Sequence, residues 1–285
     1  MKTIYTLCIL ILLGSSAAAK ERTYIGSTPA DRSIREFLGI SLTDSIDFIR
    51  WKLVLRFTDY DLECQYGICK PNTNGFMDEK RIAIKGGSSK KEGIHYYLLN
   101  NGKKANVLEI NTNLVHFADA KDQLLSGNGG FSYALNNIRS QPMDLFNYPT
   151  KQTPLKNATV YEGRTPCNPL SDAVGMGRLE TCYKLKWYFI FYTDDNGKPT
   201  YYLKGGMKYK KETMARGTWE VKAGKDGRII YKVNPSPNDT YTLYFVKAGD
   251  NILFFTDPAG NLLVGTEDFS FTLNRRVQEY ARIER

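Results

Sequence analysis

From residue 183 onward, apolar stretches of strand length alternate with short polar breaks. Residues 183–193 (YKLKWYFIFYT) form the longest, and 200–203, 217–222, 229–233, 240–246, 252–256 and 269–273 follow. Asp195-Asn196-Gly197, Lys225-Asp226-Gly227, Ser236-Pro237-Asn238-Asp239, Gly249-Asp250-Asn251 and Pro258-Ala259-Gly260-Asn261 separate them. These residue types reverse a chain because they accept positive φ or preset a turn. Aromatic and β-branched residues dominate the stretches, as suits a pleated, half-buried surface. Even spacing with hairpin turns predicts an up-and-down antiparallel barrel, whose closure removes exposed sheet edges. A helical segment over 169–175 precedes the longest strand, and a second lies within 31–48. Residues 275–285 read as a short amphipathic helix or a basic tail.

The pattern occurs twice. Residues 113–136 (NLVHFADAKDQLLSGNGGFSYALN) align without a gap to 251–274 (NILFFTDPAGNLLVGTEDFSFTLN) at an offset of 138, with 10 of 24 positions identical. Tyr24-Ile25-Gly26-Ser27-Thr28-Pro29 matches Tyr161-Glu162-Gly163-Arg164-Thr165-Pro166 at an offset of 137, and Trp51 matches Trp187 at 136. The order and near-constant offset predict two copies of one all-β fold, over 20–140 and 158–285. Residues 141–157, with Pro142, Pro149 and Pro154, read as the linker.

The N-terminus carries a different signal. Met1-Lys2-Thr3, an apolar run over 4–13 and Ser15-Ser16-Ala17-Ala18-Ala19 predict a signal peptide over 1–19, cleaved after Ala19. About ten apolar residues are too few to span a bilayer, which takes roughly 20. Cys8 lies inside that run, where a lipid-acceptor cysteine would not. No second long apolar run follows. The expectation is an exported protein, periplasmic or extracellular, without a membrane span or lipid anchor.

At 42% hydrophobic and 24% charged residues, the composition excludes a wholly disordered chain. The formal charge is +9, and +8 once Lys2 leaves with the signal. Basic clusters at Lys90-Lys91, Lys103-Lys104 and 208–211 fall near turns and read as solvated hairpin tips. Their summed field could attract anionic lipid or polysaccharide. Nucleic acid is not expected, since the chain is exported and shows no recognition motif.

Export leaves four cysteines: Cys64, Cys69, Cys167 and Cys182. An even count in an oxidising compartment predicts two disulfides, and four cysteines allow three pairings. Cys167 aligns with Ala30 and Cys182 with Ile46, so the first copy lacks both members of that pair. The simplest account gives each copy its own bridge, Cys167 with Cys182 and Cys64 with Cys69. A soft-metal loop at Cys64 and Cys69 is the other reading, although zinc normally wants four ligands.

The motifs G-x-T-P-C at Gly163–Cys167, K-L-K-W at Lys184–Trp187 and L-L-V-G-x-x-D-F at Leu262–Phe269 are similar to those of the NlpE-like family of bacterial envelope proteins. That family handles copper and envelope stress, and the resemblance covers most of the second copy and, more weakly, the first. It implies a small lipocalin-like barrel. Family members also carry a C-x-x-C pair and a lipidated cysteine. Here Cys167 precedes Asn168-Pro169-Leu170, and no lipid-acceptor cysteine stands at the signal's end. The resemblance therefore implies the fold and not copper binding.

Other candidate chemistry is sparse. His116 stands where the second copy has Phe254, which reads as a packed aromatic, and His95 lies beside Tyr96-Tyr97. Gly127-Asn128-Gly129-Gly130 and Gly205-Gly206 lack the strand-loop-helix setting of a phosphate loop and read as turns. Asp119, Asp257 and Asp268 read as turn residues. No catalytic, cofactor or metal residue is assigned. The expected function is a non-enzymatic envelope protein that binds a small ligand or envelope component at its barrel mouths or between the copies. A structural or sensory protein-interaction module is the alternative, and a hydrolase comes third.

Overall fold

Strand β1 (Arg22–Thr28) leads into helix α1 (Arg32–Leu38), whose N-terminus is capped by Asp31 accepting from the Ile34 amide at 2.9 Å. Gly39, at φ 74°, ends the helix in the left-handed conformation that a glycine adopts without a Cβ penalty. Seven strands follow: β2 (Phe48–Leu55), β3 (Asp59–Gly67), β4 (Lys80–Lys91), β5 (His95–Asn100), β6 (Lys103–Asn111), β7 (Leu114–Ala118) and β8 (Ala134–Asn137). Each pairs antiparallel with the next, and β8 returns to β1 through Tyr24 opposite Asn137. The second half repeats the plan with β9 (Thr159–Thr165), α2 (Asn168–Ala173), β10 (Leu185–Thr193), β11 (Pro199–Gly205), β12 (Met214–Ala223), β13 (Ile229–Val233), β14 (Leu243–Ala248), β15 (Ile252–Thr256) and β16 (Thr272–Arg275). The protein, a computed structural model describing residues 21–139, 158–207, 214–224, 228–236 and 240–276, is thus two closed eight-stranded antiparallel barrels in tandem. The signal segment, the linker, the basic cluster at 208–211 and residues 277–285 lie outside the described residues.

The repeat extends to individual hydrogen bonds. Trp51 Nε1 donates to Thr28 Oγ1 at 2.8 Å, and Trp187 Nε1 donates to Thr165 Oγ1 at 2.9 Å. The Tyr24 hydroxyl donates to the Thr112 carbonyl, and Tyr161 does the same to Asp250. Tyr60 lies across Gly86 on the neighbouring strand, as Tyr201 lies across Gly217. Each glycine makes room for a tyrosine ring that a side chain would displace.

Both interiors are filled by side chains. Strand alternation turns Trp51, Tyr24, Tyr60 and Phe117 inward in the first barrel. In the second, Trp187, Phe189, Phe191, Phe245 and Phe255 meet one another at centroid distances of 4.5–6.4 Å. Each such buried ring is worth about 1.5–3 kcal/mol relative to exposure. Inside the first barrel, Glu109 accepts from Arg22 at 2.8 Å, from Lys90 at 3.2 Å and from the Tyr96 hydroxyl at 3.2 Å. Lys90 is therefore an ion-pair member, not a solvated hairpin tip. Lys247 holds the position equivalent to Glu109 and pairs with Asp250 at 3.0 Å.

The outer faces of β6–β8 and β14–β16 pack on each other. Leu108, Ile110, Leu114, Ala118, Leu124 and Ala134 meet Ala248, Ile252, Phe254 and Leu262 in one apolar cluster. Equivalent residues meet across it, as in an isologous dimer. The Ser132 and Ser270 hydroxyls are 2.5 Å apart, and the His116 and Phe254 rings meet edge to face at 6.0 Å. Asn274 Oδ1 accepts from the Gly127 amide at 2.8 Å, and Asn136 Oδ1 accepts from the Gly265 amide at 2.9 Å. The serine and ring pairs are 138 residues apart, and the same offset exchanges the two Asn–Gly bonds with each other, so the barrels are related by a pseudo-two-fold axis.

One cysteine pairing holds and one fails. Cys167 and Cys182 form a disulfide with Cα atoms 6.0 Å apart, tying α2 to the approach to β10. Cys64 and Cys69 are free thiols. No hairpin lies between them, because β3 continues through Gly67, and extended chain spreads five residues over roughly 16 Å. A bridge needs Cα atoms within about 7 Å. Cys64 instead points into the first core opposite Trp51, where burial pushes its thiol pKa well up.

Some strand limits also shift. Residues 269–271 precede β16 because Phe269 and Ser270 pack in the barrel–barrel contact, and β14 starts at Leu243.

Candidate ligand groove

The groove lies where the chain enters β2 and β10, equivalent strands in the two halves, with Arg164 reaching it from β9. With Trp51 turned inward, Phe48 and Arg50 face outward, and Phe48 is fully buried there. It stacks between Phe76 (4.4 Å) and Phe131 (4.7 Å), and Phe131 continues the stack to Phe269 at 6.1 Å. Four near-parallel rings thus cross from one barrel to the other. Tyr183 meets Phe269 edge-on at 6.1 Å.

Arg50 lies over Phe76 and Phe48, with its guanidinium carbon 5.6 and 5.9 Å from the centroids. Its Nη2 donates to Asp268 Oδ1 at 2.7 Å and to the Asn74 carbonyl at 2.8 Å. The Tyr183 hydroxyl donates to the other Asp268 oxygen at 3.0 Å. Burial, reinforced by the Asp268 charge, pushes Tyr183 up to about 12. Asp268 is thus bound on both oxygens by groups outside its own turn.

Next to this cluster lies a groove of about 500 Å³, lined by Asp47, Cys69, Asn74, Phe131, Arg164 and Lys184. Lys184 sits 5.6 Å from the rings of both Tyr183 and Phe269. Burial depresses its pKa, and Arg164 and Lys186 depress it further. Asp47 Oδ2 accepts from the Cys69 amide at 2.7 Å, and the Cys69 thiol contacts the Thr73 carbonyl at 3.3 Å. Asn74 is only 8% exposed, and its Nδ2 has no partner at full hydrogen-bond geometry. It still reaches the Tyr183 hydroxyl in a looser hydrogen-bonding contact, which favours the ionised form of Tyr183.

The other residues singled out in the sequence lie elsewhere. His116 is fully buried, and desolvation lowers its pKa to about 4. His95 lies 3.4 Å from Asp122. Asp119 and Asp257 are turn residues, each accepting backbone amides of its own loop. Asp268 is not only that, as its ties to Arg50 and Tyr183 show. Among the described residues no three His, Cys, Asp or Glu side chains gather as a metal site would require. No described helix is long and apolar enough to cross a membrane. A second depression of about 360 Å³, lined mainly by Ile34, Ala105, Asn106, Phe117 and Leu125, lies beside α1.

Compared with known protein families, curated proteins and solved structures, the chain matches none.

Proposed function

We propose that this chain is an exported, non-enzymatic envelope protein that binds a small ligand in the groove between its two barrels. The observation that carries this reading is a contrast. The barrel interiors are packed with aromatic side chains, while the groove gathers an aromatic wall, two cations and a buried amide with no well-formed hydrogen bond. Binding sites typically combine an apolar surface with a few convergent polar groups. The disulfide fits an oxidising compartment, and the NlpE-like motifs point to the same place.

Native mass spectrometry of the protein purified from its own host tests the proposal. A small molecule retained in the native spectrum and released on denaturation is the expected result. A bare chain, or one retaining only a second protein, would favour an interaction module and count against the proposal.

A further inference from the structure

The pseudo-two-fold axis allows the two sides of the groove to be compared residue by residue. In the second half, the Thr266 hydroxyl accepts from the Asp268 and Phe269 amides, and this turn presents the Asp268 carboxylate to Arg50. In the first half, Asn128 Oδ1 accepts from the Gly130 and Phe131 amides in the same way. Gly130 stands where Asp268 stands, at an offset of 138, and it has no carboxylate. It faces a cation nonetheless, because a methyl group on Gly130 would lie 3.5 Å from Arg164 Nη1.

The charges around this spot do not cancel. Arg164 and Lys184 have no carboxylate partner among the described residues. Of the nearby acids, Asp268 is held by Arg50 and Tyr183, and Asp47 accepts from the Cys69 amide. Glu162, on the strand that carries Arg164, lies 4.0 Å from Arg276. Asn74 adds a buried amide donor whose contact with the Tyr183 hydroxyl falls short of full hydrogen-bond geometry, and the Asn128 side chain has its oxygen committed to the turn, which leaves its Nδ2 as a further donor. Burial first, and then the charges of Arg164 and Lys186, lower the Lys184 pKa, and the opposing pull of Asp268 and Cys69 does not restore it.

We propose that the groove binds the carboxylate or phosphoryl group of a small organic molecule at Arg164, Lys184 and Asn74, in the place that an aspartate at position 130 would otherwise fill. The body of the ligand lies against Phe131. This rests on the groove being the binding site and adds the chemical class of what it takes. Arg164 supplies a planar fork that matches either group, and Lys184 supplies a point charge.

Calorimetric titration of the exported chain with benzoate, phenyl phosphate and inorganic phosphate at low ionic strength tests the inference. The expected result is that at least one of the three binds, and that affinity falls steeply with added salt. Comparing benzoate with phenyl phosphate tells carboxylate from phosphoryl preference, and inorganic phosphate tells whether the ring contributes. Arg164→Gln and Lys184→Gln should each weaken binding about tenfold or more, the usual worth of one charge-assisted hydrogen bond. Gly130→Asp should abolish it by supplying the missing carboxylate from within, with the thermal unfolding transition retained. Failure of all three anions to bind at about 10 mM, where even weak association registers, would overturn the inference. So would binding that survives Gly130→Asp. A neutral molecule retained in native mass spectrometry alongside such a failure would overturn the anion assignment and leave the groove as the binding site.

Discussion

His116→Phe separates the packing role of this residue from its titration. The imidazole is fully buried on β7, edge to face with Phe254, with its Nδ1 donating to the Phe117 carbonyl at 2.7 Å and its Nε2 unpartnered. Desolvation lowers its pKa from 6.5 to about 4. Between those values the unfolded chain takes up a proton that the folded chain refuses. The stabilising contribution is therefore complete above pH 6.5 and is lost as pH falls toward 4. At about 1.4 kcal/mol per pH unit the loss reaches about 2–3 kcal/mol by pH 4.5. Phenylalanine should be accepted, because the second barrel already carries Phe254 at the equivalent position, and the Phe117 carbonyl keeps its bond from the Leu125 amide at 3.0 Å. Urea denaturation followed by tryptophan fluorescence at pH 7.5 and 4.5 measures the effect. Carboxylates titrate alike in both proteins and cancel in the difference. The variant should gain about 2–3 kcal/mol on the wild type between the two pH values. Parallel pH dependences would refute the reasoning, as would a variant unfolded at neutral pH.

The free thiols make a second prediction. In the chain without residues 1–19 a thiol reagent should modify Cys69 in the native state and Cys64 only in denaturant, and failure to detect two thiols in denaturant would contradict the assignment. Gly86→Ala should cost about 1–3 kcal/mol in thermal denaturation, because the new methyl lies 2.4 Å from the Leu99 carbonyl oxygen and 2.6 Å from the Tyr60 ring. An unchanged melting temperature would mean that tyrosine and glycine do not pack as described.

The strands were the legible part of the sequence. Residues 229–233 and 252–256 stand in the structure with the limits that apolar spacing predicts, because hairpin turns mark their ends chemically. The barrel–barrel contact was written there too, in a form that alternation does not capture. Leu114–Ala118 and Ile252–Thr256 show no polar alternation because one face fills a barrel and the other meets the partner barrel. Cys64 and Cys69 misled for the opposite reason. Gly67 between them resembles a turn, yet the strand runs through it, and spacing alone does not distinguish the two paths. Asp268 was legible only as a turn residue. Its contact with Arg50, 218 positions away, depends on how the barrels dock. The aligned Asp268 and Gly130 were both visible in the sequence, but their difference acquires meaning only once Arg50 and Arg164 are placed opposite them.

On the proposed reading, the working surface lies between the repeats and not inside either barrel. A crystal structure of the chain without residues 1–19, grown with phenyl phosphate, decides the matter. The expected result is a phosphoryl group within hydrogen-bond reach of the Arg164 guanidinium and the Lys184 ammonium, with the phenyl ring against Phe131. Ligand density inside either barrel, or in the depression beside α1 with the groove empty, would contradict it.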